Sequence, residues 1–218
     1  MRLLLTSGGV TNPSIEAALV ELVGRPLAEA TALCIPTAQW GHPMCTPYSV
    51  ARTVAGQGRS GLASLPFGGM GVLDLTALPS IGAERWVPWV QQADVLLVDG
   101  GDATYLAHWL RESGLLEVMP SLERQVWVGV SAGSMVLAPR IGSDFVQWPG
   151  APDDRTLGVV GFAIFPHLDV FPDNTLEAAR RWREEIGVPG YVLDDTSAIV
   201  VDGDRVEVVT EGVWHLLP

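Results

Sequence analysis

The sequence predicts an α/β fold of three layers, in which a mostly parallel central sheet is flanked by helices and followed by a C-terminal antiparallel hairpin. Three observations lead to this prediction. Short apolar runs alternate along the 218 residues with amphipathic stretches, as in a parallel sheet with helical crossovers. The runs at 94–98 and 125–130 are almost wholly apolar, which is typical of strands covered on both faces. Near the end, Asp202-Gly203 separates two β-branched runs, a strong hairpin signal.

In the first half of the chain, each apolar run leads through turn-forming residues into a helix. Strands are predicted at 2–6, 32–36, 71–75 and 94–98, and helices at 13–23, 48–55, 84–92 and 103–112. The first run ends at Ser7-Gly8-Gly9, and the fourth continues into Asp99-Gly100-Gly101-Asp102. Trp86 and Trp89 lie three residues apart on one helix face, which indicates packing against the core or an interface.

The second half changes from this alternation to antiparallel strands. Strands are predicted at 125–130, 157–160, 163–165, 198–201, 205–209 and 213–217, and a helix at 175–186. The turn Asp202-Gly203-Asp204 joins two of these strands in the hairpin. Because no repeat and no low-complexity linker divides the chain, we expect a single domain over residues 1–218.

The composition excludes several functions. The chain has no lysine, so its 13 basic residues are arginines, and they face 25 Asp and Glu for a formal net charge of −12. Without lysine there is no Walker-A phosphate loop, no Schiff-base chemistry and no Ser–Lys dyad. The acidic balance argues against nucleic acid as a partner.

Targeting and metal signals are also missing from the sequence. Leu3–Leu5 is too short for the core of a signal peptide, and no apolar run reaches the roughly 18 residues of a membrane span. We therefore expect a cytoplasmic protein without a membrane partner, as a monomer or homodimer. Cys34 and Cys45 have neither CxxC spacing nor a neighbouring His pair, so no disulfide, metal site or cofactor is predicted.

The motif that carries chemistry is Gly129-Val130-Ser131-Ala132-Gly133, which fits the pattern GxSxG. A predicted strand precedes it and a predicted helix that begins at Ser131 follows, which is the context this motif requires. The serine of such a turn is pushed out above the sheet edge, and the small residues allow strand and helix to approach closely. The N–H of Ala132 can donate to a developing oxyanion, and the Gly100-Gly101 pair offers a second donor, Gly101, at a neighbouring strand end.

A serine nucleophile needs a base, and four histidines are available. His42 and His108 lie in a loop and a polar helical stretch, and we expect them at the surface. His167 follows the strand end Phe165-Pro166, whereas His215 alternates with apolar residues in the last strand. The carboxyl edge of a parallel sheet, where such sites form, favours His167 and leaves His215 as the alternative.

The base needs a third group to orient it, and two neighbouring carboxylates are candidates. Asp194 and Asp195 come directly after a strand end. Asp195 lies 28 residues beyond His167 (195 − 167). Either could hold the imidazole, so the choice between them stays open on spacing alone.

Taken in order, these segments resemble the peptidase E (α-aspartyl dipeptidase) family of serine peptidases, which shares its fold with class I glutamine amidotransferases. The resemblance rests on Gly100-Gly101-Asp102, the elbow at 129–133, Phe165-Pro166-His167 and Leu193-Asp194-Asp195. It implies Ser131 as nucleophile, His167 as general base and Asp195 as the orienting acid. It also implies that Gly100 and Asp102 bind the substrate, and that the reaction is hydrolysis of amide bonds in small peptides.

Three departures from the family pattern affect what is expected. Asp195 stands where the family has glutamate, and Asp102 where it has asparagine. Leu176 aligns with an arginine that grips the aspartate side chain of the substrate in aspartyl dipeptidases. Since leucine cannot neutralise a carboxylate, we do not expect strict specificity for Asp-X dipeptides. The amidotransferase branch is disfavoured because its elbow carries cysteine, and cyanophycinase is a weaker match.

Two other functions remain open from the sequence. One is an esterase of the α/β-hydrolase type that uses Ser131, Asp195 and His215 in that chain order. The other is a non-catalytic, ligand-binding member of the same fold that has kept the elbow. Reactivity of Ser131 and the effect of substituting each histidine distinguish these alternatives.

Overall fold

The alternating runs of the sequence form ten strands and seven α-helices in a computed structural model that describes residues 1–218. The strands are β1 (Arg2–Thr6), β2 (Thr31–Ile35), β3 (Gly69–Val72), β4 (Val95–Val98), β5 (Val126–Val130), β6 (Ala163–Phe165), β7 (Gly190–Leu193), β8 (Ser197–Asp202), β9 (Arg205–Thr210) and β10 (Trp214–Leu217). The helices are α1 (Pro13–Val23), α2 (Pro47–Val54), α3 (Ala83–Gln92), α4 (Ala103–Glu112), α5 (Leu115–Val118), α6 (Ala132–Met135) and α7 (Leu176–Ile186). None of the helices has the length and apolar character that crossing a membrane requires.

The large sheet has seven strands in the order β3-β2-β4-β5-β1-β8-β9. Its first five strands are parallel, and β8 and β9 add an antiparallel hairpin next to β1. In register, Thr6 of β1 faces Val130 of β5, and Val98 of β4 faces Gly129. The residues that follow β1, β4 and β5 therefore emerge side by side at one edge of the sheet.

Successive strand residues point to opposite faces of the large sheet, and helices cover both faces. Leu3 and Leu5 belong to a core of 30 buried residues shared with α3, α4 and α5. Leu4 points the other way, into a core of 14 buried residues shared with α1. This three-layer arrangement confirms the predicted α/β class.

A second sheet of three strands, in the order β10-β7-β6, lies beside the first. β6 and β7 are parallel, and β10 runs antiparallel to β7. Helix α7 packs on this sheet through a separate core that includes Phe165, Trp182 and Val192. The last predicted strand therefore forms, but it pairs in the small sheet and does not extend the hairpin β8–β9.

One predicted strand is wrong, because residues 157–160 have no strand structure. Their backbone N–H groups donate instead to carbonyls just after α6: Leu157 to Val136, and Gly158 to Ala138. These local hydrogen bonds occupy the backbone N–H groups that would otherwise pair with a neighbouring strand. An apolar run by itself does not distinguish these two outcomes.

Candidate active site

Ser131 lies directly after β5 with a backbone conformation that few non-glycine residues adopt, φ 49° and ψ −112°. Such a conformation costs about 1–3 kcal/mol and persists only where neighbouring contacts hold it. Here the N–H of Ser131 donates to the carbonyl of Thr6 at 3.1 Å, and the hydroxyl of Ser134 donates to the same carbonyl at 2.8 Å. The end of β1 thus fixes the turn that presents Ser131.

Close contact between β5, α6 and β4 depends on glycine. A Cβ on Gly133 would collide with the carbonyl of Val98, and one on Gly129 would collide with the backbone of Gly133. The buried indole N–H of Trp127 donates to the Gly133 carbonyl at 2.8 Å and holds the helix against the strand. The predicted role of the small residues at 129 and 133 is confirmed.

Ser131, His167 and Asp195 form one chain of hydrogen bonds. The Ser131 hydroxyl lies 2.9 Å from Nε2 of His167, and Nδ1 of His167 lies 2.6 Å from Oδ1 of Asp195. When Nδ1–H of the imidazole donates a hydrogen bond to the carboxylate, Nε2 is free to accept the proton of the serine. The three side chains come from different places: the end of β5, the loop after β6 and the β7–β8 connection.

Asp195 is about half-buried, yet its pKa lies below the usual value of 3.8. Burial has the largest single effect and raises the pKa, but the hydrogen bond and charge of His167, the hydroxyl of Ser7 and the charge of Arg59 together lower it further than burial raises it. Asp195 therefore stays ionised where it meets the imidazole.

Ser7 is a residue of the site that the sequence reasoning missed. Its buried hydroxyl donates to Oδ1 of Asp195 at 2.8 Å and accepts the backbone N–H of His167 at 2.7 Å. It therefore holds two members of the chain in place at once. The available signal was its position, because Ser7 is the first residue after a strand that ends at the same edge as β5.

The structure separates Asp194 from Asp195. Asp194 accepts hydrogen bonds from the backbone and hydroxyl of Thr196, the hydroxyl of Ser197 and the N–H of Val213, so its carboxylate connects the β7–β8 turn to the residue before β10. Asp195 alone is bonded to His167.

The two histidines that the sequence left open also have different places. His215 lies on β10 opposite Val192 in the small sheet, whereas the hydrogen bond to Ser131 comes from His167. The structure thus brings together the chain Ser131–His167–Asp195 and leaves His215 outside it.

Gly101 and Ala132 both offer backbone donors near Ser131. Neither N–H donates to an acceptor within the protein. A Cβ on Gly100 would lie 3.5 Å from Cβ of Ser131, which shows how closely this loop approaches the serine. Gly101 has φ 142° and packs against the backbone of Ala38, where a side chain would collide. The unpaired N–H groups therefore belong to the residue after Ser131 and to the loop that approaches its side chain.

Asp102 does not have the position expected of a substrate-binding carboxylate. It is fully buried, and its Oδ1 caps α4 by accepting the N–H of Tyr105 and the hydroxyl of Thr104. Its Oδ2 accepts the N–H groups of Gln147 and Trp148. With both oxygens occupied, Asp102 connects α4 to a neighbouring loop, and the expectation of substrate contact is corrected.

The cysteines lie away from the elbow. Burial, and secondarily the charge of Asp99, raise the pKa of Cys34 to about 12, so this thiol stays protonated at neutral pH. Cys45 lies in the loop before α2 and is partly exposed. No group of three or more His, Cys, Asp or Glu side chains is arranged to hold a metal ion.

Comparison with solved structures defines the class of fold. The structure superimposes on a candidate peptidase E from Listeria monocytogenes EGD-e with a TM-score of 0.71 and 18% identity, covering 97% of this chain and 98% of that one. A peptidase from an acI-B1 Actinobacterium gives a TM-score of 0.72 and 20% identity, covering 99% of this chain and 90% of that one. Both share the fold described above.

The family follows from the sequence. The model of peptidase family S51 matches residues 3–209, and the chain belongs to this family. It is accordingly a serine-type peptidase, and its substrates are peptides. No curated protein sequence matches the chain.

Proposed function

We propose that the protein hydrolyses amide bonds of small peptides with Ser131 as nucleophile, His167 as general base and Asp195 as the orienting acid. The observation that supports this most strongly is the hydrogen-bonded chain of 2.9 Å and 2.6 Å between the three side chains. Because the three residues are drawn from segments between 131 and 195 and are braced by Ser7, we also propose that residues 1–218 work as one catalytic domain.

In the first step Oγ of Ser131 attacks the substrate carbonyl while Nε2 of His167 takes the hydroxyl proton. Asp195 accepts Nδ1–H throughout and stabilises the imidazolium that forms. The negative charge on the carbonyl oxygen is received by the N–H groups of Ala132 and Gly101, which have no other acceptor. Each donor of this kind contributes about 3–4 kcal/mol to the transition state.

In the second step the carbon–nitrogen bond breaks, and His167 gives its proton to the leaving amine. The acyl group stays on Ser131 until a water, deprotonated by His167, attacks the ester. The free acid is then released and Ser131 regains its proton.

Leu176 supports a substrate other than Asp-X dipeptides. It is the first residue of α7, is partly buried and packs on the core of the small sheet. An apolar side chain at this position gives no partner for an aspartate, so we propose that the N-terminal residue of the substrate is not restricted to aspartate.

Labelling of the active serine tests the proposal. We expect a fluorophosphonate probe to label the parent protein and the His215→Ala variant equally, but neither Ser131→Ala nor His167→Ala. In a dipeptide library that includes Asp-X and neutral N-terminal residues, Ser131→Ala should lose at least about 10³-fold in kcat. His215→Ala is the matched control, because His215 lies on β10 of the small sheet and has no hydrogen bond to Ser131 or Asp195.

The opposite results identify the alternatives. Labelling that depends on His215 and not on His167 would support the esterase arrangement. A parent protein that hydrolyses no dipeptide or ester, with Ser131 unreactive, would instead indicate a non-catalytic member of the family.

A further inference from the structure

Arg59 is an exposed arginine without a partner at the edge of the candidate active site. Most arginines of the chain donate to a carboxylate or a carbonyl, such as Arg140 to Asp154 and Arg183 to Pro218. Four side chains have neither a hydrogen bond nor an ion pair within the protein: Arg59, Arg85, Arg124 and Arg180. Arg59 is the one among them whose charge acts on the triad.

The segment that carries Arg59 is anchored against the loop that holds Asp195. The Ser60 carbonyl packs so closely on Gly9 that a side chain there would collide with it, and Leu62 is buried in the core under α1. The next residue along, Gly8, packs in the same way on Asp195, since an added Cβ would lie 2.7 Å from Cβ of Asp195. The backbone at Arg59 is therefore held beside the acid end of the triad.

The charge of Arg59 reaches Asp195, although the two residues make no ion pair. Burial has the largest single effect and raises the pKa of Asp195, and the charge of Arg59 is one of the contributions, after those of His167 and Ser7, that together lower this pKa. The donors of Arg59 are unused within the protein, and the backbone that carries them is held through Ser60, Gly9 and Gly8 beside Asp195. An unpaired guanidinium matches the two oxygens of a carboxylate and can bind both at once.

The direction of the reaction indicates which carboxylate would meet Arg59. His167 gives its proton to the leaving amine, so the leaving residue lies on the same side of Ser131 as His167 and Asp195. In a dipeptide this leaving residue carries the α-carboxylate. In a chain of net charge −12, a carboxylate needs a local cation to offset the general repulsion.

We propose that Arg59 binds the C-terminal carboxylate of the substrate and thereby selects dipeptides with a free C-terminus. The inference rests on the proposed function, because it uses the side of the site to which the leaving group departs. Arg59 is a substrate-binding residue in this account, and it takes no part in proton transfer. Capture of a terminal carboxylate is a recurrent mode of peptide recognition.

A pair of substrates that differ only in this carboxylate tests the proposal. We compare a neutral dipeptide with its C-terminal amide, in the parent protein, in Arg59→Gln and in Arg124→Gln. Arg124 is a matched control because it is also exposed and unpaired but precedes β5, at the opposite end of the strand from Ser131. For the free acid, Arg59→Gln should lower kcat/KM by about 10- to 100-fold, mainly through KM. For the amide the change should stay within about twofold, and Arg124→Gln should resemble the parent with both.

Calorimetric binding to Ser131→Ala protein, with and without Arg59→Gln, gives a readout that does not depend on turnover. Tighter binding of the acid than of the amide, lost with Arg59→Gln, supports the proposal even if catalysis by Ser131 fails its own test. Equal losses for acid and amide overturn it, because Arg59 would then act through Asp195 or the fold. A loss confined to Asp-X substrates, in acid and amide alike, also overturns it and assigns Arg59 to an acidic side chain.

Discussion

Ser7 shows that a single hydroxyl can hold two members of the hydrogen-bonded chain Ser131–His167–Asp195. It donates to the carboxylate of Asp195 and accepts from the backbone of His167, at 2.8 Å and 2.7 Å. His167 has a left-handed backbone conformation, φ 61°, so its N–H has no regular secondary-structure partner. The hydroxyl of Ser7 supplies that partner and places the imidazole at the same time.

Removing this hydroxyl should slow the reaction without preventing substrate binding. In Ser7→Ala we expect kcat to fall by about tenfold with KM nearly unchanged, because a hydrogen bond to a charged group is lost and the imidazole is less well oriented. Steady-state kinetics and the rate of fluorophosphonate labelling measure the effect. A variant whose kcat and labelling rate equal those of the parent would show that Ser7 does not position His167.

At the scale of elements, the connection from β5 to α6 decides where Ser131 lies. Helix α6 is only four residues long, and it lies against β4 and β5 because Gly129 and Gly133 have no side chain. The indole of Trp127 and the carbonyl of Thr6 secure the same turn from two other directions. The strained conformation of Ser131 is therefore held by neighbours on β1, β4 and β5.

A methyl group at this contact should disturb both stability and reactivity. Gly133→Ala places a Cβ against the Val98 carbonyl, so α6 must move away and take the N–H of Ala132 with it. We expect the free energy of unfolding to fall by about 1–3 kcal/mol in urea denaturation, and probe labelling of Ser131 to slow markedly. Gly161→Ala is the matched control, because nothing lies within 4 Å of its added Cβ. If the two variants behaved alike, the close approach at Gly133 would not be what positions the elbow.

At the scale of the whole molecule, the site exists because two sheets are joined at the right place. Ser131 follows a strand of the large sheet, whereas His167 follows a strand of the small one. The β7–β8 connection passes from one sheet to the other, and it carries both Asp194 and Asp195. Asp194 ties this connection together by bonding Thr196, Ser197 and Val213.

The contribution of Asp194 should depend on pH in a defined direction. Burial raises its pKa, but the hydrogen bonds from Ser197, Val213 and Thr196 outweigh burial and hold the pKa below the usual 3.8. The unfolded chain therefore binds the proton first as the pH falls. The stabilisation is complete above the unfolded pKa and is lost as the pH falls through the folded pKa.

We accordingly expect Asp194→Asn to lower the free energy of unfolding by about 1–2 kcal/mol at pH 7, a modest value because the carboxylate is partly exposed. The difference from the parent should shrink below about pH 4. Urea denaturation at a series of pH values measures it. Asp202→Asn, which changes an exposed carboxylate without a side-chain hydrogen bond, should follow the parent. A gap between Asp194→Asn and the parent that is the same at pH 3 and pH 7 would contradict the assignment.

Much of the fold follows from local patterns in the sequence. The strands at 2–6 and 163–165 and the helices at 13–23 and 103–112 have the predicted bounds, because apolar periodicity and terminal Gly, Pro and Asp residues act locally. The strand predicted at 157–160 was wrong because the backbone N–H groups of these residues donate to carbonyls of the segment after α6. β10 formed as predicted, but its partner is a strand of the other sheet.

The sequence by itself determined the class of fold, the elbow at Ser131 and a small set of candidate residues for the base and the orienting acid. Because the chain has no lysine and only four histidines, few residues could act as the base for Ser131. Only the tertiary structure linked Ser131 to His167 and His167 to Asp195, assigned Asp194 and Asp102 to structural bonds, and brought Ser7 and the segment of Arg59 beside Asp195. The physical reason is that hydrogen bonds and charges act through distances in space. Residues 7, 59, 131, 167 and 195 become neighbours only when two sheets and their loops have packed together.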